Sequence, residues 1–154
     1  MVGDWFSQED IGAWEKRYRA SLINSVTGYK PVNLIGTRDR VSVHNLAIMS
    51  SVVHLGTSPP LIGLIIRPDS AERHTLRNIR EYGVYTINHV TLSSYRAAHQ
   101  TAARYDDQVS EFEAVGLDPE YRDGFDAPFV ASSPIKFGLS LVEEIPIQWN
   151  GTHF

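Results

Sequence analysis

The sequence predicts a mainly β fold with inserted helices, a small β-barrel rather than a doubly wound α/β sheet. Three observations carry that expectation. Several short strand-like runs follow one another, the helical segments interrupt them without regular alternation, and Asn150-Gly151 is a strong two-residue hairpin signal. No internal repeat or low-complexity segment appears, and the 154 residues read as a single domain, 1–154.

In chain order, Trp5 to Leu22 reads as a helix, with Ile11, Trp14 and Tyr18 at helical spacing. Val32 to Thr37 and Val41 to Ala47 are strand-like and joined by Arg38-Asp39-Arg40, a length suited to a hairpin turn. A third strand is expected from about Ser50 to Leu55, before a turn over Gly56 to Pro60. Leu61 to Ile66 is a short, nearly unbroken apolar run that suits a strand buried on both faces. It cannot continue as helix, because Pro68 disfavours helical geometry at Arg67.

Asp69 and Glu72 have capping-box spacing, so a helix should begin there, bury Leu76 and Ile79, and stop at Gly83. Val84 to Val90 alternates as a strand. Ser94 to Arg104 has helical character, and Val109 to Val115 suggests a short helix ended by Gly116. The stretch from Asp118 to Ser133, with two prolines among acidic and aromatic residues, reads as a wrapping loop. Phe137 to Val142 and Ile145 to Trp149 are strand-like, and only Thr152, His153 and Phe154 follow the Asn150-Gly151 turn. The hairpin is short of a full return strand.

The helix start after Asp69 leaves backbone N–H groups without partners and is flanked by Arg67, Arg73 and His74, a setting that attracts an anion such as phosphate. The spacing of Arg73, Arg77 and Arg80 fits the solvated face of an amphipathic helix equally well.

Composition narrows the function classes. A net charge of −4 argues against a general nucleic-acid binder, and the absence of cysteine excludes disulfides, thiolate metal sites and cysteine nucleophiles. The six histidines have no ligand spacing, so no metal site is expected, and His54 reads as a buried histidine. The longest apolar run is too short to span a bilayer and the first ten residues have no signal pattern, so the expected location is cytoplasmic with no membrane partner. Asp106-Asp107 and Glu143-Glu144 read as solvated surface carboxylates.

The ordered set Asn45-Leu46-Ala47, Ser50-Ser51, Ser58-Pro59-Pro60-Leu61, Arg67-Pro68-Asp69, His74-Thr75-Leu76-Arg77-Asn78-Ile79 and Val109-Ser110-Glu111-Phe112-Glu113 resembles the flavin reductase-like FMN-binding split-barrel family. The resemblance implies a split β-barrel of Greek-key type and a non-covalent flavin mononucleotide at the interface of a homodimer. It further implies hydride transfer from NADH or NADPH, with electrons passing to an acceptor protein or small molecule. A non-catalytic electron carrier and a cofactor-less assembly module are the alternatives.

On that resemblance Asn45, Ala47, Ser50 and Ser51 meet the flavin's ribityl chain and ring, whereas Arg67, His74 and Thr75 meet its phosphate. Asn88 ends a strand near the same region, and His99 falls at the flavin edge. Asn88 suits backbone satisfaction in a loop equally well. No side-chain nucleophile is required, because the flavin performs the chemistry. Family members continue through further strands after the segment matching Gly151 to Phe154, so the resemblance also implies a barrel here lacking its C-terminal strands.

Overall fold

A computed structural model describes residues 5–41, 43–68 and 74–154. The chain divides into two units, Met1–Lys30 and Pro31–Phe154. In the first, the single helix expected over Trp5 to Leu22 is two, α1 (Gln8–Ala13) and α2 (Lys16–Ser25). The break has a local cause. Glu15 turns its carboxylate onto the N–H groups of Arg17 and Tyr18 and caps a new helix, while Ser7 and Asp10 form a capping box at the start of α1.

The second unit is built on a four-stranded antiparallel sheet in the order β2-β1-β5-β8, comprising β1 (Asn33–Arg38), β2 (His44–Met49), β5 (Val84–His89) and β8 (Lys136–Ser140). Two-stranded pairs flank it: β3 (Val52–Thr57) with β4 (Pro60–Leu64), β6 (Pro119–Arg122) with β7 (Phe125–Val130), and β9 (Pro146–Ile147) with β10 (Thr152–His153). Helices α3 (His74–Tyr82), α4 (Tyr95–Gln100) and α5 (Glu111–Val115) are inserted between strands. The class is the expected one, mainly β with inserted helices.

The register assigns the two faces. Leu34 lies opposite Ile48 and Asn88, Gly36 opposite Leu46 and Thr86, and Ile35 opposite Ala47 and Ile87. Since successive side chains alternate, Asn33, Ile35, Thr37, Asn45, Ala47, Met49 and Ile87 share one face, and Leu34, Leu46, Ile48, Thr86 and Asn88 the other. The first face packs Ile35 and Ile87 with Leu64, Ile66, Ile79 and Tyr85; the second packs Leu34 and Leu46 with Ala98, Phe112 and Val130. Helix α3 therefore covers one face and α4 and α5 the other.

Several expected elements differ. The strand expected at Val41 starts at His44, because Asp39 Oδ1 accepts from the N–H groups of Val41 and Val43 and closes a loop first. The strand expected over Ser50 to Leu55 runs from Val52 to Thr57, so the Gly56–Pro60 turn tightens to Ser58-Pro59, whose peptide is cis. Strand β4 is not buried on both faces: Leu61 is exposed and Ile62 only half-buried, since the strand has a single partner. The loop expected over Asp118 to Ser133 contains the β6–β7 hairpin, which turns at Gly124 with φ +77°. Pro119 and Pro128 mask the alternation there.

At the chain end, four residues rather than two separate Ile147 from Thr152, with Gly151 N–H donating to the Ile147 carbonyl at 3.0 Å. Of the strand expected over Ile145 to Trp149, Pro146–Ile147 forms β9, and Ile145 continues the pairing by exchanging both backbone hydrogen bonds with Phe154 at 2.7 and 3.0 Å. The short return strand has a second neighbour, because His153 exchanges both backbone hydrogen bonds with Ile66 at 2.8 and 2.9 Å. His54, on β3, is exposed, against expectation. The capping box at Asp69 and Glu72, and Arg73, lie outside the described residues; Gly83, with φ +67°, ends α3 where expected.

Candidate functional site

Strand β2 leads into the candidate site. Asn45 is buried and its Nδ2 donates to Thr37 Oγ1 at 3.0 Å and to Thr75 Oγ1 at 3.1 Å, tying the strand to the first turn of α3. Asn78 Nδ2 adds a third bond to Thr37 Oγ1 at 3.2 Å, and its Oδ1 is buried without a partner. At the far end of β2, Ser51 holds the end of β4: its Oγ donates to the Ile65 carbonyl at 2.6 Å, and its carbonyl accepts from Ile65 N–H at 3.0 Å. Arg67 lies two residues on and is exposed.

Of the nine expected residues, seven make up the candidate strip: Asn45 and Ala47 share one face of β2, Ser50 and Ser51 form its exit, Arg67 follows the end of β4 that Ser51 holds, and Thr75, next to His74 in the first turn of α3, is bonded to Asn45. The other two do not join them. Asn88 is fully buried on the opposite face, where Nδ2 donates to the Leu34 carbonyl at 3.1 Å and to Thr86 Oγ1 at 2.9 Å, and Oδ1 accepts from Val130 N–H at 2.9 Å. His99 is exposed on α4, the helix packed on that opposite face.

At the α3 start, His74 Nε2 lies 2.6 Å from Asp107 Oδ1, and Arg77 Nη1 lies 3.3 Å from Asp107 Oδ2. The hydrogen bond from Arg77 and the neighbouring His74 hold the Asp107 carboxyl below the usual aspartate range. A phosphate using these cations would share them with Asp107. Sequence reading placed that carboxylate in solvent, since residues 74 and 107 are brought together only by the packing of α3 near the α4–α5 connection.

A second concavity of about 520 Å³ opens on the α3 face, lined by Leu64, Ile66, Leu76, Ile79, Tyr85 and Leu139 among others. Its polar rim consists chiefly of Arg80, Glu144 and His153. Arg80 grips Glu144 with both nitrogens at 3.0 and 2.5 Å, and His153 Nδ1 lies 2.7 Å from the same carboxylate, which Arg80 holds below the usual glutamate range. Glu144 is thus paired rather than solvated. An apolar wall with a neutralised rim is a poor host for a phosphate, so an anionic ligand is better served by the strip beside Arg67 and His74.

Two buried groups on the opposite face were missed from sequence. Glu111 Oε2 accepts from Leu46 N–H at 3.0 Å, and burial pushes the Glu111 carboxyl up from its ordinary range. Thr101 Oγ1 accepts from Ile48 N–H at 3.0 Å. A glutamate opening a short helix reads from sequence as a solvated first-turn residue.

A family model described as "Flavin reductase like domain" matches residues 29–154. The chain belongs to the flavin reductase-like family. Among solved structures, this flavin reductase-like chain is 56% identical to a split-barrel protein of Shewanella frigidimarina NCIMB 400, assigned as a flavin reductase, with a TM-score of 0.93 over 98% of this chain and 75% of that one. It is 27% identical to the flavoredoxin of Desulfovibrio vulgaris (Miyazaki F), with a TM-score of 0.69 over 84% of this chain and 70% of the other. An uncharacterized protein of Halalkalibacterium halodurans is 27% identical over 79% of the chain, which spans 59% of that relative's length. The family assignment makes the fold a split barrel and ties the chain to flavin-related redox proteins. No helix among the described residues is long and apolar enough to cross a membrane.

The residues on the strip fit a flavin nucleotide in chemical type. Ala47 carries a small side chain, Ser50 a hydroxyl, and Arg67, His74 and Arg77 carry positive or donor groups. The side chains of Asn45, Thr75 and Ser51 are already engaged within the protein, so they shape that surface as well as line it.

Proposed function

We propose that this protein is a cytoplasmic, homodimeric, FMN-binding oxidoreductase that takes hydride from NADH or NADPH and passes electrons to a further acceptor. The observation that supports it best is the placement of Asn45, Ala47, Ser50, Ser51, Arg67, His74 and Thr75 along β2, the end of β4 and the first turn of α3 in a flavin reductase-like domain. Bound flavin would supply the redox chemistry, and the chain would supply orientation and electrostatics. Ser50 and the backbone around it would hold the ring end, and Arg67 with His74 the phosphate end. The similarity to a flavoredoxin favours one alternative, a carrier that exchanges electrons with a protein partner without taking hydride itself.

Anaerobic mixing of the flavin-loaded protein with NADH and NADPH separates these readings. Rapid bleaching by either nucleotide is expected, whereas a flavin that stays oxidised selects the carrier. For the phosphate end, Arg67→Ala should weaken FMN roughly tenfold to a hundredfold while leaving riboflavin nearly unaffected, the value of a charge-assisted hydrogen bond. Asp107→Asn should strengthen FMN by roughly twofold to fivefold, since an exposed competing charge is worth little more. Equal changes for FMN and riboflavin would remove the phosphate from this corner.

A further inference from the structure

Strand β2 forms one edge of the four-stranded sheet, and an edge strand presents a row of backbone N–H groups that pairing leaves over. On β2 these groups include those of Leu46 and Ile48, which are taken by side-chain oxygens from the helical layer. Leu46 N–H meets Glu111 Oε2 and Ile48 N–H meets Thr101 Oγ1, each at 3.0 Å. Both acceptors are buried, at 8% and 6% exposure. The Thr101 hydroxyl donates to the Ala98 carbonyl at 2.8 Å, which turns its lone pairs toward β2.

The same strand is held from that side by packing. Leu46 is wholly buried with Ala98 and Phe112, and Ile48 packs against the same cluster. The alternate residues, Asn45, Ala47 and Met49, face the other way, toward α3. A displacement of the β2 edge moves the ligand-side residues with it, because both sets share one backbone; on their own face Asn45 is bonded to Thr37 and Thr75, and Met49 packs on the Ile35–Leu64 cluster. A buried carboxylate is a costly way to satisfy one amide, and a glutamine would serve if satisfaction were the whole task. His74, on the α3 side, contributes to the field at Glu111.

We propose that Glu111 and Thr101 are positioning residues for the flavin strip: by taking the outward N–H groups of Leu46 and Ile48, they fix the strand whose opposite side carries Asn45, Ala47 and the approach to Ser50. This rests on the flavin reading of that strip. It assigns to Glu111 and Thr101 a role in cofactor affinity although both meet β2 from the side opposite Asn45 and Ala47.

The test uses the full chain, titrated with FMN and followed by flavin absorption and reduction potential. Glu111→Ala and Thr101→Val should each weaken FMN roughly fivefold to thirtyfold and shift the bound flavin's absorption band or potential, whereas Glu111→Gln and Thr101→Ser, which keep an acceptor, should stay within about twofold of the parent. Should Glu111→Ala fail to fold, the Thr101 pair decides alone. Leu139→Ala, on the far edge strand, controls for loss of stability: an equal loss of FMN there, or unchanged flavin properties in Glu111→Ala and Thr101→Val, overturns the proposal. Absence of FMN binding by the parent, or indifference of the flavin to Ser50→Ala and Arg67→Ala, brings down the functional reading and this inference with it. Sensitivity to Ser50 and Arg67 with indifference to Glu111 and Thr101 brings down the inference alone.

Discussion

Replacing Asn45 by alanine asks whether a residue read from sequence as a ligand contact is first a structural one. In the folded chain its amide makes two buried hydrogen bonds, to Thr37 Oγ1 at 3.0 Å and Thr75 Oγ1 at 3.1 Å, at 5% exposure. Two neutral hydrogen bonds contribute about 1–3 kcal/mol net, and the small void left by truncation adds about 1 kcal/mol more. The expected loss is about 2–4 kcal/mol, which for a domain of this size lowers Tm by roughly 5–15 °C. Urea unfolding of flavin-free protein measures it. Thr75→Val should cost less, and the double variant should show a coupling of about 0.5–1.5 kcal/mol, because the two side chains share a bond. A flavin-free Asn45→Ala protein as stable as the parent to within about 0.5 kcal/mol would refute the network, and would leave Asn45 as a ligand residue only.

Three further outcomes are expected. A Cβ on Gly36 would fall on the Pro128 carbonyl oxygen and 2.5 Å from Thr86 Oγ1, so Gly36→Ala should cost about 3 kcal/mol by forcing β7 away from the sheet. Gly138→Ala, whose Cβ would come nearest to the ring of Phe125, should cost about half as much in the same denaturation assay; the reverse order would contradict the close approach at Gly36. Glu144 and Glu120 contribute to the acid limb of stability: their pKa values are depressed by Arg80 and Lys136, so their contribution is present above the ordinary glutamate range and is lost as pH falls from that range through the depressed folded values. Glu111 acts in the opposite sense: its raised pKa makes the folded state hold a proton that the unfolded chain has released, so stability declines as pH rises from the ordinary glutamate value to the raised one. Glu111→Gln should abolish that decline while leaving the acid limb, and identical urea midpoints against pH for both proteins would show that Glu111 does not titrate in this way.

Much of the secondary structure was legible because it is a local property. Alternation marked Val84 to Val90, and Gly83 and Gly116 marked helix ends, where φ of +67° and +70° is open to glycine at little cost. Local signals misled where a side chain competed with its own backbone. Glu15 splits the N-terminal helix by capping a second one, and Asp39 delays β2 by holding two amides in a turn. The order of the strip along the chain, from Asn45 through Ser51 and Arg67 to Thr75, could be read as a motif, since most of it lies within thirty-one consecutive residues.

What the tertiary structure decided was parity and pairing. Whether Asn88 shares a face with Asn45 depends on register, because a one-residue slip exchanges the two faces of a strand. Leu34 opposite both Ile48 and Asn88 sends Asn88 to the far side, where three hydrogen bonds engage its amide. Nor could sequence reveal that Glu111 reaches β2 across 65 residues, that Asp107 stands against His74, or that Glu144 is gripped by Arg80 and His153. Each of those carboxylates reads alone as solvated surface. Their partners lie far along the chain, and a charge acquires its role from what folding brings within about 3 Å of it.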